Sequence, residues 1–467
     1  MSDSRTRALT RTSLGLLLAC LGATAATGAA AADASRLGTE LTPTGAEKGA
    51  SKDGTIPAWA GNQPASDGGW AWGKLRSAHF KHKDDKPLFS IDASNADKYA
   101  DKLSAGQLAT LKQVKGYRMD VYPTRRTCGV PDFVAENTKK NVGTAKLAED
   151  GWGLKEAVMP GLPFPLPENG IEAMWNSKMR YRGVGMDYKN TVTTLSPRKG
   201  SSEWIRAGQE FTAFYPWGAK GSTPLSKLPP IEYNAYFGYN SPPALAGQAL
   251  AITYFLDTAG SETFYYFPGQ RRVRRMPTYS YDSPQIGFEN LYTLDEPFVF
   301  NGTFDRFDWK LVGKKELYVL YNAFGAYDFS GKVDDITKPD FVDPGHRRYE
   351  LHRVWVVEAT VKQGMRHTAP KRTFYLDEDS WNLTVADDFD AQGKVFKVRE
   401  GFLIPVYETG SCDTSAFVQN IVSDGRYVFD MHAAGTGKDV QYLTEPKGPR
   451  MTTNYYTADN LRAVSER

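Results

Sequence analysis

Residues 261–277 read Ser-Glu-Thr-Phe-Tyr-Tyr-Phe-Pro-Gly-Gln-Arg-Arg-Val-Arg-Arg-Met-Pro, a stretch to which few conformations are open. The aromatic run 263–267 has the composition of a strand. Pro268-Gly269-Gln270 supplies turn chemistry, and residues 271–276 form the return strand of a hairpin. Side chains alternate along a strand, so Phe264 and Tyr266 share one face while Tyr265 and Phe267 share the other. The same alternation sets Arg272 and Arg274 against Arg271, Val273 and Arg275. A hydrophobic strand that returns as a cationic one implies a place in a longer antiparallel meander.

Strand signals continue on both sides. Segments 203–206, 231–239, 248–257, 309–321, 349–361, 372–377, 382–388 and 394–400 are apolar or alternating. Turn sequences separate them, among them Asp257-Thr-Ala-Gly260, Asp377-Glu-Asp-Ser380 and Asp390-Ala-Gln-Gly393. Leu351, Arg353, Trp355 and Val357 alternate with His352, Val354, Val356 and Glu358, which turns one face of the sheet towards a core or cavity. Ahead of the sheet, Pro163, Pro165 and Pro167 hold the chain extended and deliver it into a helix over 168–182. Ile171, Met174, Trp175 and Lys178 fall on one helical face, and Lys178, Arg180 and Arg182 put positive charge at its C-terminal end. Two shorter helices fit between Asp92 and Gly116, where Ser94 with Asp97 and Ser104 with Gln107 have capping-box spacing. The fold class is α+β, with helices layered on a large antiparallel β-sheet.

Residues 1–32 read as a secretory signal: Arg5, Arg7 and Arg11, an apolar core at 14–21, and Ala30-Ala31-Ala32 before Asp33. Leu17-Leu18-Ala19-Cys20 also resembles a lipobox, although the alanine-rich tail after Cys20 reads as an ordinary cleavage region. The apolar core is too short to cross a bilayer, so the mature chain is expected to carry no transmembrane span. The formal charge of +3 falls to about +1 once the signal is removed, which gives nucleic-acid binding no electrostatic support. Residues 33–91, rich in Gly, Pro, Ser and Lys with scattered tryptophans, read as an extended arm that docks on the body at 92–467. Cys128 and Cys412 are either a disulfide that staples the N-terminal region to the sheet or two separate buried thiols.

Tyr375-Leu-Asp-Glu-Asp-Ser-Trp-Asn-Leu, followed by Asp388-Phe-Asp-Ala-Gln-Gly-Lys, resembles the meander of the LolA/LolB-like fold of outer-membrane lipoprotein-sorting proteins. Five segments together resemble domain-of-unknown-function family 1329 across nearly the whole mature chain. They are Leu41-Thr-Pro-Thr-Gly-Ala-Glu-Lys48, Tyr122-Pro-Thr-Arg-Arg126, Pro268-Gly-Gln-Arg-Arg-Val-Arg-Arg275, Phe307-Asp-Trp-Lys-Leu-Val-Gly-Lys-Lys315 and Arg348-Tyr-Glu-Leu-His-Arg-Val-Trp-Val-Val-Glu358. The resemblance implies a curved half-barrel with helices against its concave face, enclosing an apolar cavity. Lol proteins use such a cavity to hold acyl chains, and this chain is considerably longer than a Lol carrier.

Met174, Trp175, Met179, Leu250, Ile252, Tyr254 and Trp355 are the candidates to line a cavity; plain core packing is the alternative. Arg271, Arg272, Arg274 and Arg275 would meet an acidic headgroup or partner surface, unless Asp295, Glu296, Asp305 or Asp308 neutralises them within the chain. His79 and His82 lack companions for a metal, and Glu350 with His352 reads as a structural hydrogen bond. Asp377-Glu378-Asp379 reads as a solvated turn. No metal, cofactor or catalytic residue is expected. Three functions follow: a periplasmic carrier of a lipid-like ligand working with an envelope transporter or outer-membrane protein, an interaction subunit with a filled sheet, and a carbohydrate-active enzyme. An open apolar cavity favours the first, a packed interior the second, and a pocket joining two carboxylates the third. N-terminal sequencing of the exported protein is expected to give a chain starting near Asp33; a diacylated Cys20 at the terminus would make it an anchored lipoprotein instead.

Overall fold

The computed structural model describes residues 34–466 apart from 67 and 278; the expected signal and Cys20 lie outside the described residues. One sheet of sixteen strands carries the fold. Two short strands come first, β1 (Phe89–Asp92) and β2 (Arg118–Val121). A meander follows, made of β3 (Gly185–Leu195), β4 (Ile205–Phe214), β5 (Ile231–Tyr239), β6 (Ala249–Phe255), β7 (Ser261–Phe267) and β8 (Arg272–Arg275). A second begins with β9 (Phe307–Leu320), β10 (Tyr349–Val361), β11 (Lys371–Asp377) and β12 (Leu383–Phe389). It ends with β13 (Val395–Gly401), β14 (Phe417–Ile421) and β15 (Arg426–His432), before a last short strand, β16 (Gln441–Leu443). Across the sheet the order is β1-β2-β10-β11-β12-β13-β14-β15-β3-β4-β5-β6-β7-β8, with β9 also on β10 and β16 also on β3. The sheet is open, not a closed barrel. Its main pairings are antiparallel; the exception is a single parallel step that pairs Tyr349 with Val121.

The arginine hairpin forms with Phe264 opposite Arg275, Tyr265 opposite Arg274 and Phe267 opposite Arg272. Its turn is a single 3-10 turn, after which Arg271 takes a left-handed conformation, φ 48°. Strands β5 and β10 have the limits expected from sequence, whereas β4 runs on to Phe214, well past the 203–206 segment. Strands β3, β14 and β15 carried no recognised signal. Every residue of β14 and β15 is buried, so neither shows the alternation that marks a half-exposed strand.

Three helices matter for the interior. The first, α1 (Ala105–Gln113), starts at a complete Ser104–Gln107 capping box. It lies so close to β12 and β13 that a Cβ on Gly106 would stand 2.4 Å from Asp387 Oδ1 and Val398 Cβ. After α2 (Asp132–Asn141), the helix expected over 168–182 appears as α3 (Gly170–Lys178), capped by the Asn169 side chain. It is shorter because Met179 closes it, and Arg180 leaves the helical path to pair with Asp413 at 3.0 Å. Helix α3 packs on β9, where only glycine fits at 170: a Cβ there would lie 2.9 Å from the Trp309 carbonyl carbon. In place of the first of the two helices expected between Asp92 and Gly116 there is a 3-10 segment, Ala96–Lys102, ahead of which Ser94 bonds back to Asp92 instead of capping a helix.

The N-terminal segment is tied to the body by side chains. Arg126 donates to Asp379 and to four carbonyls of residues 47–57, while Trp381 Nε1 donates to the Thr44 carbonyl at 2.9 Å. Cys128 and Cys412 are joined in a disulfide across a sequence separation of 284, their Cα atoms 5.6 Å apart. Replacing both cysteines by serine is expected to lower stability by about 4–6 kcal/mol on a chain-entropy account, and by less if the unfolded chain keeps structure. Urea denaturation with and without a reductant measures this; an unchanged midpoint would show that the bond constrains nothing.

Candidate functional site

The expected cavity is filled. Met174, Trp175 and Met179 are fully buried; the Trp175 ring meets Phe304 edge-on at 5.1 Å and its Nε1 donates to the Trp152 carbonyl at 2.7 Å. Leu250, Ile252 and Tyr254 line a void of only about 30 Å3. Met174 lines another of about 20 Å3, and the two share Tyr233, Phe298 and Asn301. Such spaces hold one or two waters, not an acyl chain. Trp355 borders neither; it stacks on Trp381 at 5.9 Å beneath the Lys314 ammonium. What fills the space is the connection from β8 to β9. Its Phe298, Phe300 and Phe304 are buried against Phe211, Phe374 and Trp175, and no strand or helix pattern announced it.

The four hairpin arginines point outwards. Arg271, Arg272, Arg274 and Arg275 are all exposed. Arg275 pairs with Glu262 at 3.1 Å and Arg274 donates to Gln270 at 2.7 Å. None of the carboxylates expected as intramolecular partners reaches them. Asp295 is taken by Arg372 and His367, Glu296 by Lys397, and Asp305 by Tyr281 and Thr303.

The Asp377-Glu378-Asp379 turn is buried rather than solvated, because the N-terminal segment covers it. Arg126 binds both oxygens of Asp379 at 2.7 and 2.9 Å. Burial, and next the charge of Asp379, push the Asp377 carboxyl up to about 7. Among the described residues, His352, Asp377 and Asp379 are the set with metal-like spacing, their ligand atoms within 4.8 Å of one another. Glu350, however, holds His352 Nε2 at 3.0 Å and Arg126 occupies Asp379, so the set is a neutralised hydrogen-bonded knot rather than an open coordination sphere.

Two depressions open to solvent. One, of about 340 Å3, lies between the N-terminal segment and the body, bordered by Phe80, Phe324, Tyr122, His346, Asp85 and Asp328. It joins two carboxylates, but neither is free for acid–base work. Burial opposes the charge of Asp85, yet Arg125 and Arg348 hold it down at about 2, and Asp328 caps the turn at Ser330 and Gly331. The other, of about 460 Å3, is floored by Leu154, Leu225 and Leu256, with Leu228 and Pro230 beside them and Lys155, Glu149 and Asp257 on its rim. It sits where β6 ends and β5 begins, and a hairpin strand at 154–156 (Leu154–Glu156) hydrogen-bonds to the Leu256 carbonyl. Sequence reading missed this groove. Its four leucines come from three separate segments, and no periodic pattern connects them.

Three solved structures overlap the sheet at low similarity. A domain described as an outer membrane lipoprotein-sorting protein domain, from Vibrio parahaemolyticus, aligns at 11% identity and a TM-score of 0.42 over 63% of this chain and 98% of its own. A DUF1329 family protein from Desulfovibrio piger aligns at 12% and 0.37 over 60% and 92%. A LolA superfamily protein from Nitrosomonas europaea aligns at 10% and 0.34 over 62% and 100%. In sequence, an uncharacterized protein of Pseudomonas aeruginosa is 40% identical over 406 residues, covering 84% of this chain and 86% of the relative. Residues 90–462 match the family described as Protein of unknown function (DUF1329), and with that match and that relative the chain belongs to this family.

Proposed function

We propose that the protein is a non-enzymatic carrier of the cell envelope that receives a lipid-like chain in the leucine-floored groove at the β5–β6 end, not inside the sheet. The observation that carries this reading is the contrast in volume. The groove offers about 460 Å3 over an apolar floor, within the range of ligand sites, while the voids around α3 hold a water or two. Lys155, Glu149 and Asp257 on the rim would face the polar end of such a ligand. Export to the periplasm fits the signal read at residues 1–32. The non-enzymatic reading is supported by the 340 Å3 depression, where Asp85 is held by Arg125 and Arg348 and Asp328 caps a turn.

A second reading has its own support. The exposed Arg271, Arg272 and Arg274, left without carboxylate partners, form a cationic tip suited to an acidic surface on a transporter or outer-membrane protein. The packed interior also suits an interaction subunit.

Titration with a fluorescent fatty acid separates the two. Leu228→Arg, which puts a charge into the groove from a half-buried position, is expected to weaken binding at least about tenfold without unfolding the protein. Trp175→Ala is expected to cost about 3–5 kcal/mol of stability, as a core deletion does, and to leave the probe's affinity unchanged once the variant is folded. A wild-type protein that binds no hydrophobic probe would leave the interaction subunit as the function. Reversing the charge at Arg272 and Arg274 should then abolish capture of the acidic partner.

A further inference from the structure

The exit of helix α3 gathers more positive charge than its surroundings neutralise. Lys178, Arg180 and Arg182 are all buried. Lys178 is paired with Glu232 at 2.7 Å and Arg180 with Asp413 at 3.0 Å. Among the described residues Arg182 has neither ion pair nor hydrogen-bond partner; its guanidinium lies over the Tyr215 ring at 4.5 Å and near Phe298 at 5.9 Å. Three cations against two carboxylates leave one uncompensated positive charge in the interior. Asp413 takes Arg180 on one oxygen and accepts from Ser415 and the Tyr442 hydroxyl on the other.

Hydrogen-bonding capacity is left over beside these side chains, and most of it is donor. The Nε–H groups of Arg180 and Arg182 and the hydroxyl of Tyr215 are buried without a partner. Buried donors are nearly always satisfied, and a buried charge is ordinarily paired, so three orphan donors around an excess cation call for an acceptor that carries negative charge. Burial, and next the charge of Arg182, pull the Arg180 guanidinium down to about 10; burial also opposes the charge of Arg182, which Tyr215 and Asp413 nevertheless hold above its ordinary value. Arg180 and Arg182 border the small void under α3 together with Asn301 and the paired Lys178 and Glu232, and its volume of about 20 Å3 suits an occupant close to the size of one water.

We propose that this void is a binding site for a single monatomic anion, chloride in its natural setting, held by the guanidiniums of Arg182 and Arg180. A water molecule would satisfy donors but leave the charge uncompensated in a low-dielectric interior. A carboxylate or phosphate group is too large for the space. The bound anion completes the junction of α3 with β3 and β5, since Glu232 lies on β5 and Arg182 leads into β3. It is independent of any ligand in the leucine groove.

The test uses the full mature protein, exchanged from chloride into gluconate at fixed ionic strength. Adding bromide or chloride is expected to raise Tm saturably by roughly 2 °C, whereas further gluconate does not. Crystals grown in bromide are expected to give an anomalous peak within hydrogen-bond reach of the Arg182 guanidinium. Arg182→Met, which keeps the apolar stem and removes the charge, should abolish both the halide dependence and the peak. Should that variant fail to fold, the wild-type bromide peak decides alone. No peak, or a peak with equal Tm in halide and gluconate (an adventitious ion only), overturns the proposal.

Discussion

Charge buried within a wide sheet is the constraint to which the other parts of this structure answer. Asp388 on β12 accepts hydrogen bonds from Arg372 on β11 and Arg399 on β13, at 2.7–3.4 Å. Burial alone would raise its pKa, yet the two guanidiniums hold the carboxyl far below the usual carboxylate range. Arg372 reaches on to Asp295, and Lys397 on β13 binds Glu296, so the β8–β9 connection is fastened to the same lattice. Such a network adds little net stability compared with a hydrophobic core. Losing one partner, however, strands a charge and costs about 3–5 kcal/mol. A slip of one residue between β11 and β12 would separate every pair and turn these side chains to the other face. Register is therefore fixed by electrostatics where both faces of the sheet are buried and alternation cannot fix it.

The same rule explains how an N-terminal segment with little regular structure stays in place. It has no strand to add beyond β1, so its backbone polar groups need other partners. Arg126 supplies them, binding Asp379 and four carbonyls at once, with the disulfide one residue beyond its neighbour Thr127. Under that cover, burial and next the charge of Asp379 raise the Asp377 carboxyl above the usual carboxylate range, while Asp379 is paired with Arg126.

What could be read from the sequence follows the same division. The hairpin at 261–277, strands β5 and β10, and the Ser104 cap were legible because each rests on local chemistry: turn residues, alternation, a capping box. Strands β14 and β15 were not, since uniform burial erases the period of two. Of the seven cavity candidates all but the half-buried Trp355 lie in the interior, but whether an interior is hollow depends on a segment with no periodicity. Phe298, Phe300 and Phe304 occupy the space a ligand would need. The buried acidic turn was misread for a related reason: Asp-Glu-Asp looks solvated until a distant arginine is seen to cover it. Long-range pairing of charges leaves no mark at short range in the sequence.

With the interior filled by aromatic packing and mostly paired charge, the surfaces proposed for binding lie at the strand ends. The leucine groove lies beyond Leu256, at the C-terminal end of β6, and the arginine turn at 268–271 lies beside its N-terminal end, next to Ala249. Seven residues of strand separate them, roughly 20–25 Å at ~3.3 Å per residue. A ligand in the groove and an acidic partner at the arginine tip would therefore not compete for space. Both are borne on β6 and β7, strands whose Leu250, Ile252 and Tyr265 are anchored in the core. Movement of the arginine tip would have to pass through a strand packed on both faces, so the two surfaces are held at a fixed spacing. On the proposed carrier reading, taking an apolar molecule at one end and docking at the other calls for such a spacer more than for a hollow interior.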